Sequence, residues 1–167
     1  MKIGLISDTH GHLDNKIITN LRDVDEIWHA GDFGTMEIVD SLKSIKPIRG
    51  VYGNIDSKDI RLEFPEDLIF EIDGCKIWMT HIGGYPPKYT LRVRKNLLEI
   101  APDLFITGHS HILKVIRDPD HPQILHINPG AAGQQGFHKF RTMVTFHIEK
   151  GKITSLNAIE LGMRGRI

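Results

Sequence analysis

Short apolar runs alternate with segments of helical periodicity in the first third of the chain. Apolar runs of strand length occur at residues 3–7, 26–30 and 47–52. Between them, apolar residues at 13, 17, 18 and 21, and later the segment 35–45, follow the i, i+3, i+4 spacing of amphipathic helices. Thr35 is a candidate N-cap for the second helix. This alternating order predicts βαβ units and a largely parallel sheet.

The second half of the chain contains more strands and shorter connections. Asp73-Gly74-Cys75 separates two apolar runs and indicates a hairpin turn, and a helix is predicted over 91–100, beginning slightly earlier, after Pro86-Pro87. Further strands are predicted at residues 104–107, 113–116, 124–127, 143–148 and 153–159. Tight turns between the last four favour antiparallel pairing. So many strands predict an α/β fold with two sheets packed face to face and helices outside, in a single domain over 1–167.

Composition and charge restrict the classes of function. Lys+Arg and Asp+Glu both number 21, so the formal net charge is zero and a nucleic-acid partner, which usually requires a basic excess, is not expected. Cys75 is the only cysteine, so no intrachain disulfide can form. It is predicted to be a core residue. No signal peptide is recognisable, and no apolar stretch approaches the ~20 residues that span a bilayer. We therefore expect a cytoplasmic protein without a membrane partner. A homodimer is a reasonable expectation for a soluble enzyme.

Polar side chains follow five of the predicted strands. They are two carboxylates, one amide and four imidazoles: Asp8, His10, Asp32, Asn54, His81, His109 and His111. The carboxyl ends of parallel strands open onto the functional crevice of an α/β sheet, so these groups are expected to converge. Such N and O ligands suit Mn, Fe, Zn, Ni or Co, and their number suits two ions that share a carboxylate. Two ions ~3.5–4 Å apart favour in-line displacement at phosphorus.

Each of these residues can also be interpreted as a structural residue that binds no metal. An Asp after a strand is commonly a turn or cap residue, and a single His is often a hydrogen-bonded structural residue. Because all the motifs occupy equivalent strand-end positions, their joint occurrence favours a metal site. Asp56 is interpreted first as a loop-fixing acceptor and second as a partner that orients a ligand. His29 is interpreted as a hydrogen-bonded core residue.

The motif set resembles that of a known family. Asp8-x-His10, Gly31-Asp32, Gly53-Asn54, His81 and Gly108-His109-Ser110-His111 resemble, in order and spacing, the signature of the calcineurin-like metallophosphoesterase superfamily. The short chain resembles its compact single-domain phosphodiesterase branch, from Lys2 to about Gly130. The resemblance implies a four-layer αββα sandwich of two mixed β-sheets flanked by helices, with the site at the strand ends.

The same resemblance implies a ligand assignment and a mechanism. One ion would be held by Asp8, His10, Asp32 and His111. The other would be held by Asp32, Asn54, His81 and His109, so that Asp32 bridges. A metal-bridging hydroxide would be the nucleophile. The implied catalytic residues are therefore Asp32, Asn54 and His109.

One position departs from the family pattern. Many members have His directly after the Gly-Asn motif, whereas this chain has Ile55. Ile cannot donate a proton, and general acid catalysis contributes roughly 10²–10⁴-fold. We therefore predict slow turnover of esters with poor leaving groups. His12 is a candidate substitute acid, and its alternative interpretation is a loop residue without a catalytic role.

The sequence leaves three functions open. The first is a dinuclear metal-dependent phosphoesterase, foremost a phosphodiesterase, acting on a small phosphate ester with two divalent ions, Mn before Ni, Zn or Fe. The second is a non-catalytic protein-binding scaffold on the same fold, which the missing His at Ile55 allows. The third, a mononuclear hydrolase of amides or lactones, is disfavoured because no His-Glu-x-x-His motif is present. Segment 83–94, with two tyrosines and several basic residues, is either a phosphate-binding lid or a surface loop.

Overall fold

The computed structural model describes residues 1–165, so the last two residues of the predicted domain, 166 and 167, lie outside the described residues. Its helices are α1 (Asn15–Arg22), α2 (Met36–Ile45), α3 (Lys58–Glu63) and α4 (Leu91–Ile100). The first strands are β1 (Lys2–Ile6), β2 (Glu26–His29), β3 (Ile48–Gly50), β4 (Asp67–Ile72), β5 (Cys75–Thr80), β6 (Gly84–Tyr85) and β7 (Lys88–Tyr89). They are followed by β8 (Leu104–Ile106), β9 (Leu113–Arg117), β10 (Leu125–Pro129), β11 (Phe140–Glu149) and β12 (Lys152–Met163).

The first sheet has the strand order β12-β11-β1-β2-β3. The pairs β1–β2 and β2–β3 are parallel, and α1 and α2 form the crossovers between them. The long β11–β12 hairpin adds to the other edge through an antiparallel pair with β1. The parallel βαβ opening predicted from the hydrophobic pattern is therefore confirmed.

The second sheet has the order β4-β5-β8-β10-β9. Antiparallel pairing is confirmed for β9–β10 and for β11–β12. However, β10 also pairs in parallel with β8, and β11 belongs to the other sheet, so the expected antiparallel run from β9 to β12 is wrong. The physical reason is that β9 forms an edge hairpin with β10, which leaves the other side of β10 free to pair with β8.

Three buried clusters show how the layers pack. One cluster fills the space between the sheets, where Leu5 and Trp28 meet Ile77, Met79 and side chains of β8 and β10. A second packs α1, α2 and α3 on the outer face of the first sheet. A third packs α4 on the outer face of the second sheet. The predicted four-layer αββα sandwich of two mixed sheets is therefore confirmed.

Local boundaries differ from prediction in two places. Helix α4 begins at Leu91 and not earlier, because the Thr90 side chain accepts the Val93 amide and the preceding residues form the β6–β7 hairpin. Helix α3 was not predicted, since its six residues are too few to show a period. Cys75 is fully buried, as expected. Among residues 1–165, no helix is long and apolar enough to cross a membrane.

Candidate metal centre

The loops after β1, β2 and β3 of the first sheet face the loops after β5 and β8 of the second. Two groups of potential ligand atoms lie there, and within each group the atoms are no more than 4.8 Å apart: Asp8, His10 and His111 in the first, and Asp32, His81 and His109 in the second. Asn54 adjoins the second group, because its Oδ1 lies 3.1 Å from His81 Nε2. The structure thus brings together all seven residues that the sequence nominated as ligands.

Asp8 presents one oxygen to the protein and one to the first group. Its Oδ2 accepts hydrogen bonds from the Ser7 hydroxyl at 2.6 Å and from the His109 amide at 3.1 Å. Its Oδ1 is buried without a hydrogen-bond partner in the described chain and lies 3.2 Å from His111 Nε2. His10 Nε2 is a second buried atom without a partner. Unpartnered buried ligand atoms are costly, and a bound cation would satisfy them.

Asp32 belongs to the second group and also faces the first. Its Oδ2 is 3.2 Å from His81 Nε2, in the second group, and 3.6 Å from His10 Nε2, in the first. Its Oδ1 accepts the Ile55 amide at 3.1 Å, which fixes the carboxylate plane. Burial raises the pKa of Asp32, but the hydrogen bond and charge of His81 outweigh burial and lower it below its usual value. The carboxylate therefore stays ionised and can be shared by two cations.

His81 is oriented by the backbone. Its Nδ1 lies 2.8 Å from the Ala30 carbonyl and must donate to it, so Nε2 faces the Asp32 and Asn54 oxygens. Burial lowers the pKa of His81, but Asp32 and Asp8 outweigh burial and raise it above its usual value. A neutral imidazole would turn a lone pair toward these acceptors. The approach of Nε2 to two acceptor oxygens therefore requires either a proton on Nε2 or a cation between these atoms. In metal-bound histidines, the ring nitrogen that does not bind the metal typically donates a hydrogen bond, as Nδ1 does here.

The local charge also fits cations. Asp8 and Asp32 are buried, and no Lys or Arg within residues 1–165 forms an ion pair with either carboxylate. Burial lowers the pKa of His10 and of His109, which favours the neutral imidazole that binds metals. Two buried carboxylates close to the neutral imidazoles of His10 and His109 are unfavourable unless further positive charge is bound among them. The donor set therefore fits two divalent ions.

Most of the candidate ligands have an unusual backbone conformation. Five have positive φ angles: Asp8 (53°), His10 (46°), Asp32 (58°), His109 (67°) and His111 (58°). This left-handed region is uncommon for residues with a Cβ, although Asp and His tolerate it better than most. Gly53 is needed for a different reason, because a Cβ there would lie 2.0 Å from Asp32 Oδ1. The strand-end loops thus accept local strain to direct the ligands inward.

A layer of hydrogen bonds supports these loops. Both ring nitrogens of His29 are used, by the Thr9 hydroxyl and the Gly31 amide, and burial lowers its pKa to about 3. The Asp56 carboxylate accepts the amides of Gly34 and Gly53 and so joins the loops after β2 and β3. The interpretations of His29 as a core residue and of Asp56 as a loop-fixing acceptor are therefore confirmed.

The chain also contains supporting residues to which the sequence analysis gave no role. Asn128 donates to the Gly108 carbonyl and the Ser110 hydroxyl and holds the loop that carries two ligands. His138 packs edge-on against His111, with ring centroids 5.2 Å apart. No local pattern marks His138, because the contact depends on tertiary structure. Asn128 could have been found from its position directly after the strand predicted at 124–127, the signal that marked the candidate ligands.

His12 lies beside a buried arginine. Its Nε2 is 2.9 Å from Nη1 of Arg141, and Nη2 of the same guanidinium donates to Asp14. Neither candidate ligand group contains His12. Since a guanidinium only donates, His12 Nε2 accepts in this arrangement. The geometry favours a structural role, and a catalytic role for His12 stays a prediction.

Two clefts adjoin the centre. The arginine cleft, about 380 Å³, is lined by Asn54 and His81 and also by Tyr52, Arg61 and Arg92. The apolar cleft, about 340 Å³, is lined by His109, His111, Ile112, Phe137 and His138. They share no lining residue, and each includes two candidate ligands. Each cleft therefore adjoins a different part of the candidate centre.

An αββα sandwich with paired groups of carboxylate and imidazole ligands at its strand ends is typical of metal-dependent phosphoesterases. The sequence profile described as the calcineurin-like phosphoesterase superfamily domain matches residues 1–151, and the chain belongs to this family. The prediction of a hydrolase of the metallophosphoesterase family is thereby confirmed.

Named relatives and solved structures resemble this chain as well. A "Probable metallophosphoesterase" of Methanothermobacter thermautotrophicus is 34% identical over 136 residues, covering 78% of this chain and 77% of that protein. A phosphodiesterase of Methanocaldococcus jannaschii is 34% identical over 146 residues, covering 78% and 83%. The structure of a novel archaeal phosphodiesterase has a TM-score of 0.74 at 28% identity, covering 96% and 100%. Wild-type Vps29 of Entamoeba histolytica, at 17% identity and TM-score 0.74 over 99% and 100%, shares the fold.

Proposed function

We propose that the protein is a dinuclear metal-dependent phosphodiesterase acting on small phosphate esters. The observation that carries the proposal is the position of Asp32 Oδ2, which faces His10 of one ligand group and His81 of the other. A carboxylate so placed can hold two cations at a short separation. Asp8, His10 and His111 would complete one site, and His81, His109 and Asn54 the other.

Two divalent ions held there would supply a water of lowered pKa and positive charge for the phosphoryl oxygens. In the reaction a water oxygen forms a bond to phosphorus, the ester P–O bond breaks, and the departing alcohol oxygen takes a proton. Asp32, Asn54 and His109 would be the catalytic residues of the chain nearest to the reacting phosphorus. The exposed side chain of Ile55 follows Asn54 and has no proton to give, so esters that leave as stable aryl oxides should react best.

The test is hydrolysis of a chromogenic aryl phosphodiester and of the matching monoester. The protein would be chelated, reloaded with manganese, and compared with the Asp32→Ala variant. We expect metal-dependent turnover that is faster on the diester and is lost in the variant. Binding of two ions without turnover, with any of Mn, Ni, Zn or Fe, would instead favour the non-catalytic scaffold.

Manganese, a cytoplasmic location, a homodimer and a single domain are further parts of this proposal. Metal analysis of protein purified without chelator would identify the native ions, since the N and O ligand set accepts several metals. Light scattering would determine the oligomeric state.

A further inference from the structure

The two clefts at the metal centre differ in chemistry. The arginine cleft adjoins the centre at Asn54 and His81, and the apolar cleft adjoins it at His109 and His111. A phosphodiester has two ester groups, one on each side of its phosphorus. If the phosphorus lies at the ligands, the two clefts are the spaces available to these two groups. Their different linings would then select different groups.

Arg61 contributes a positive charge to the arginine cleft, which also contains Glu66, whose carboxylate accepts the Tyr52 hydroxyl. Its guanidinium donates to the backbone carbonyls of Asp56 and Asn54 and lies 4.6 Å from the centroid of the Tyr52 ring. It forms no ion pair within residues 1–165, whereas Arg92 in the same cleft is paired with Asp67. A guanidinium held by backbone carbonyls but without a carboxylate partner is pre-organised to bind an anion.

The apolar cleft instead presents hydrocarbon. Ile112, which directly follows the ligand His111, is 61% exposed, and Phe137 is fully exposed. Phe137 directly precedes His138, whose ring packs against His111. Large apolar side chains exposed beside a polar centre would gain free energy if an apolar ester group covered them. Because these side chains directly adjoin the candidate ligands, we take an ester group of the substrate as the occupant of the apolar cleft.

We infer that the preferred substrate is an unsymmetrical phosphodiester, with an apolar ester group against Ile112 and Phe137 and an anionic group in the second ester, facing Arg61. This inference rests on the proposed function, since it places the phosphorus at the metal ligands. It assigns substrate selection to three residues outside the ligand set.

Binding of non-hydrolysable phosphinates to the manganese-loaded protein tests the inference without turnover. Three compounds would be titrated by calorimetry: one with a benzyl and a 3-carboxypropyl arm, one with two benzyl arms, and one with two 3-carboxypropyl arms. We expect the mixed compound to bind about tenfold more tightly than either symmetric one, a difference of about 1.4 kcal/mol. Equal affinity for all three would overturn the inference.

Substitutions then assign each arm to its cleft. Arg61→Gln should weaken binding of the mixed and dicarboxylate compounds about tenfold more than it weakens binding of the dibenzyl compound. Phe137→Ser, alone or with Ile112→Asn, should weaken only the compounds with a benzyl arm. Leu98→Ser, at an exposed leucine in α4 that lines neither cleft, is the matched control. Variants that weaken all three compounds alike would contradict the inference.

Two further controls separate the possible failures. Arg61→Lys keeps the charge but not the planar group that holds the Asn54 loop, so it should retain preference for the carboxylate arm even if overall affinity falls. Turnover of the aryl phosphodiester is measured in the same preparations. If the protein turns over the diester but does not distinguish the two arms, the inference is refuted and the proposed function is not. If the manganese-loaded protein neither turns over the diester nor binds any phosphinate, both the inference and the proposed function are refuted.

Discussion

Oδ2 of Asp32 lies 3.2 Å from Nε2 of His81, and the backbone holds both side chains in that position. The Ile55 amide fixes the carboxylate, and the Ala30 carbonyl fixes the imidazole. The same oxygen is 3.6 Å from His10, so a single atom faces both ligand groups. Metal binding and catalysis should therefore depend more on Asp32 than on any ligand that belongs to one group.

We expect Asp32→Asn to reduce the bound metal from two ions per chain to fewer than one, because the amide loses the charge that both sites share. His111→Ala, which changes only the first group, should retain one ion. Metal content after dialysis, measured by mass spectrometry, checks this prediction. Equal losses in both variants would mean that Asp32 does not bridge.

Ile55→His should restore a proton donor where the family commonly has one. We expect hydrolysis of an alkyl phosphodiester to rise by roughly 10²-fold, with a much smaller gain on an aryl diester, since an aryl oxide needs little protonation. The measurement is the ratio of kcat/KM for the two substrates. Ile55→Val is the control, and an equal gain on both esters would argue against missing acid catalysis.

The left-handed backbone at His111 predicts a difference between two otherwise similar variants. In chelated protein, His111→Gly should be more stable than His111→Ala by roughly 1 kcal/mol, because glycine adopts a φ of 58° without the steric cost of a Cβ. Both variants lose the imidazole. Denaturant unfolding measures the difference, and a less stable glycine variant would show that the loop is not strained.

His12→Ala should lower stability more than activity. Removing the imidazole leaves Arg141 Nη1 with only its bond to the Ala132 carbonyl, and we expect a loss of roughly 1 kcal/mol in the free energy of unfolding. At equal metal content kcat should stay within about twofold, well below the loss expected for a general acid. A fall in kcat of about a hundredfold would instead identify His12 as the acid that replaces the missing histidine.

Asp67 should make stability depend on pH. Burial raises its pKa, but hydrogen bonds from Arg92 and Trp78 outweigh burial and lower it below its ordinary value of 3.8. A carboxylate with a lowered folded-state pKa stabilises the fold above pH 3.8, and this contribution is lost as pH falls through the lower folded value. Asp67→Asn should therefore cost roughly 1–2 kcal/mol at pH 7 and less at pH 3. Unfolding at both pH values checks this, and a constant difference would exclude a charge effect.

The sequence alone predicted the candidate ligand set and much of the layering. The strand-end positions of Asp8, Asp32, Asn54, His81 and the 109–111 motif are local features, since strand periodicity and turn residues are properties of short segments. The same holds for Thr35 as the N-cap of α2 and for the buried Cys75. Local patterns of this kind predicted the ten strands of the two five-stranded sheets, three of the four helices within residues 1–165, and every residue of the two candidate ligand groups.

Only the tertiary structure decided which distant segments meet. His12 and Arg141 are 129 residues apart, His138 reaches His111 from another loop, and β10 pairs with β8 as well as β9. The start of α4 at Leu91 also depended on the hairpin that precedes it. These arrangements depend on how the two sheets pack and which strand edges remain free. A local hydrophobic pattern carries no information on either, so the two clefts became visible only in the folded chain.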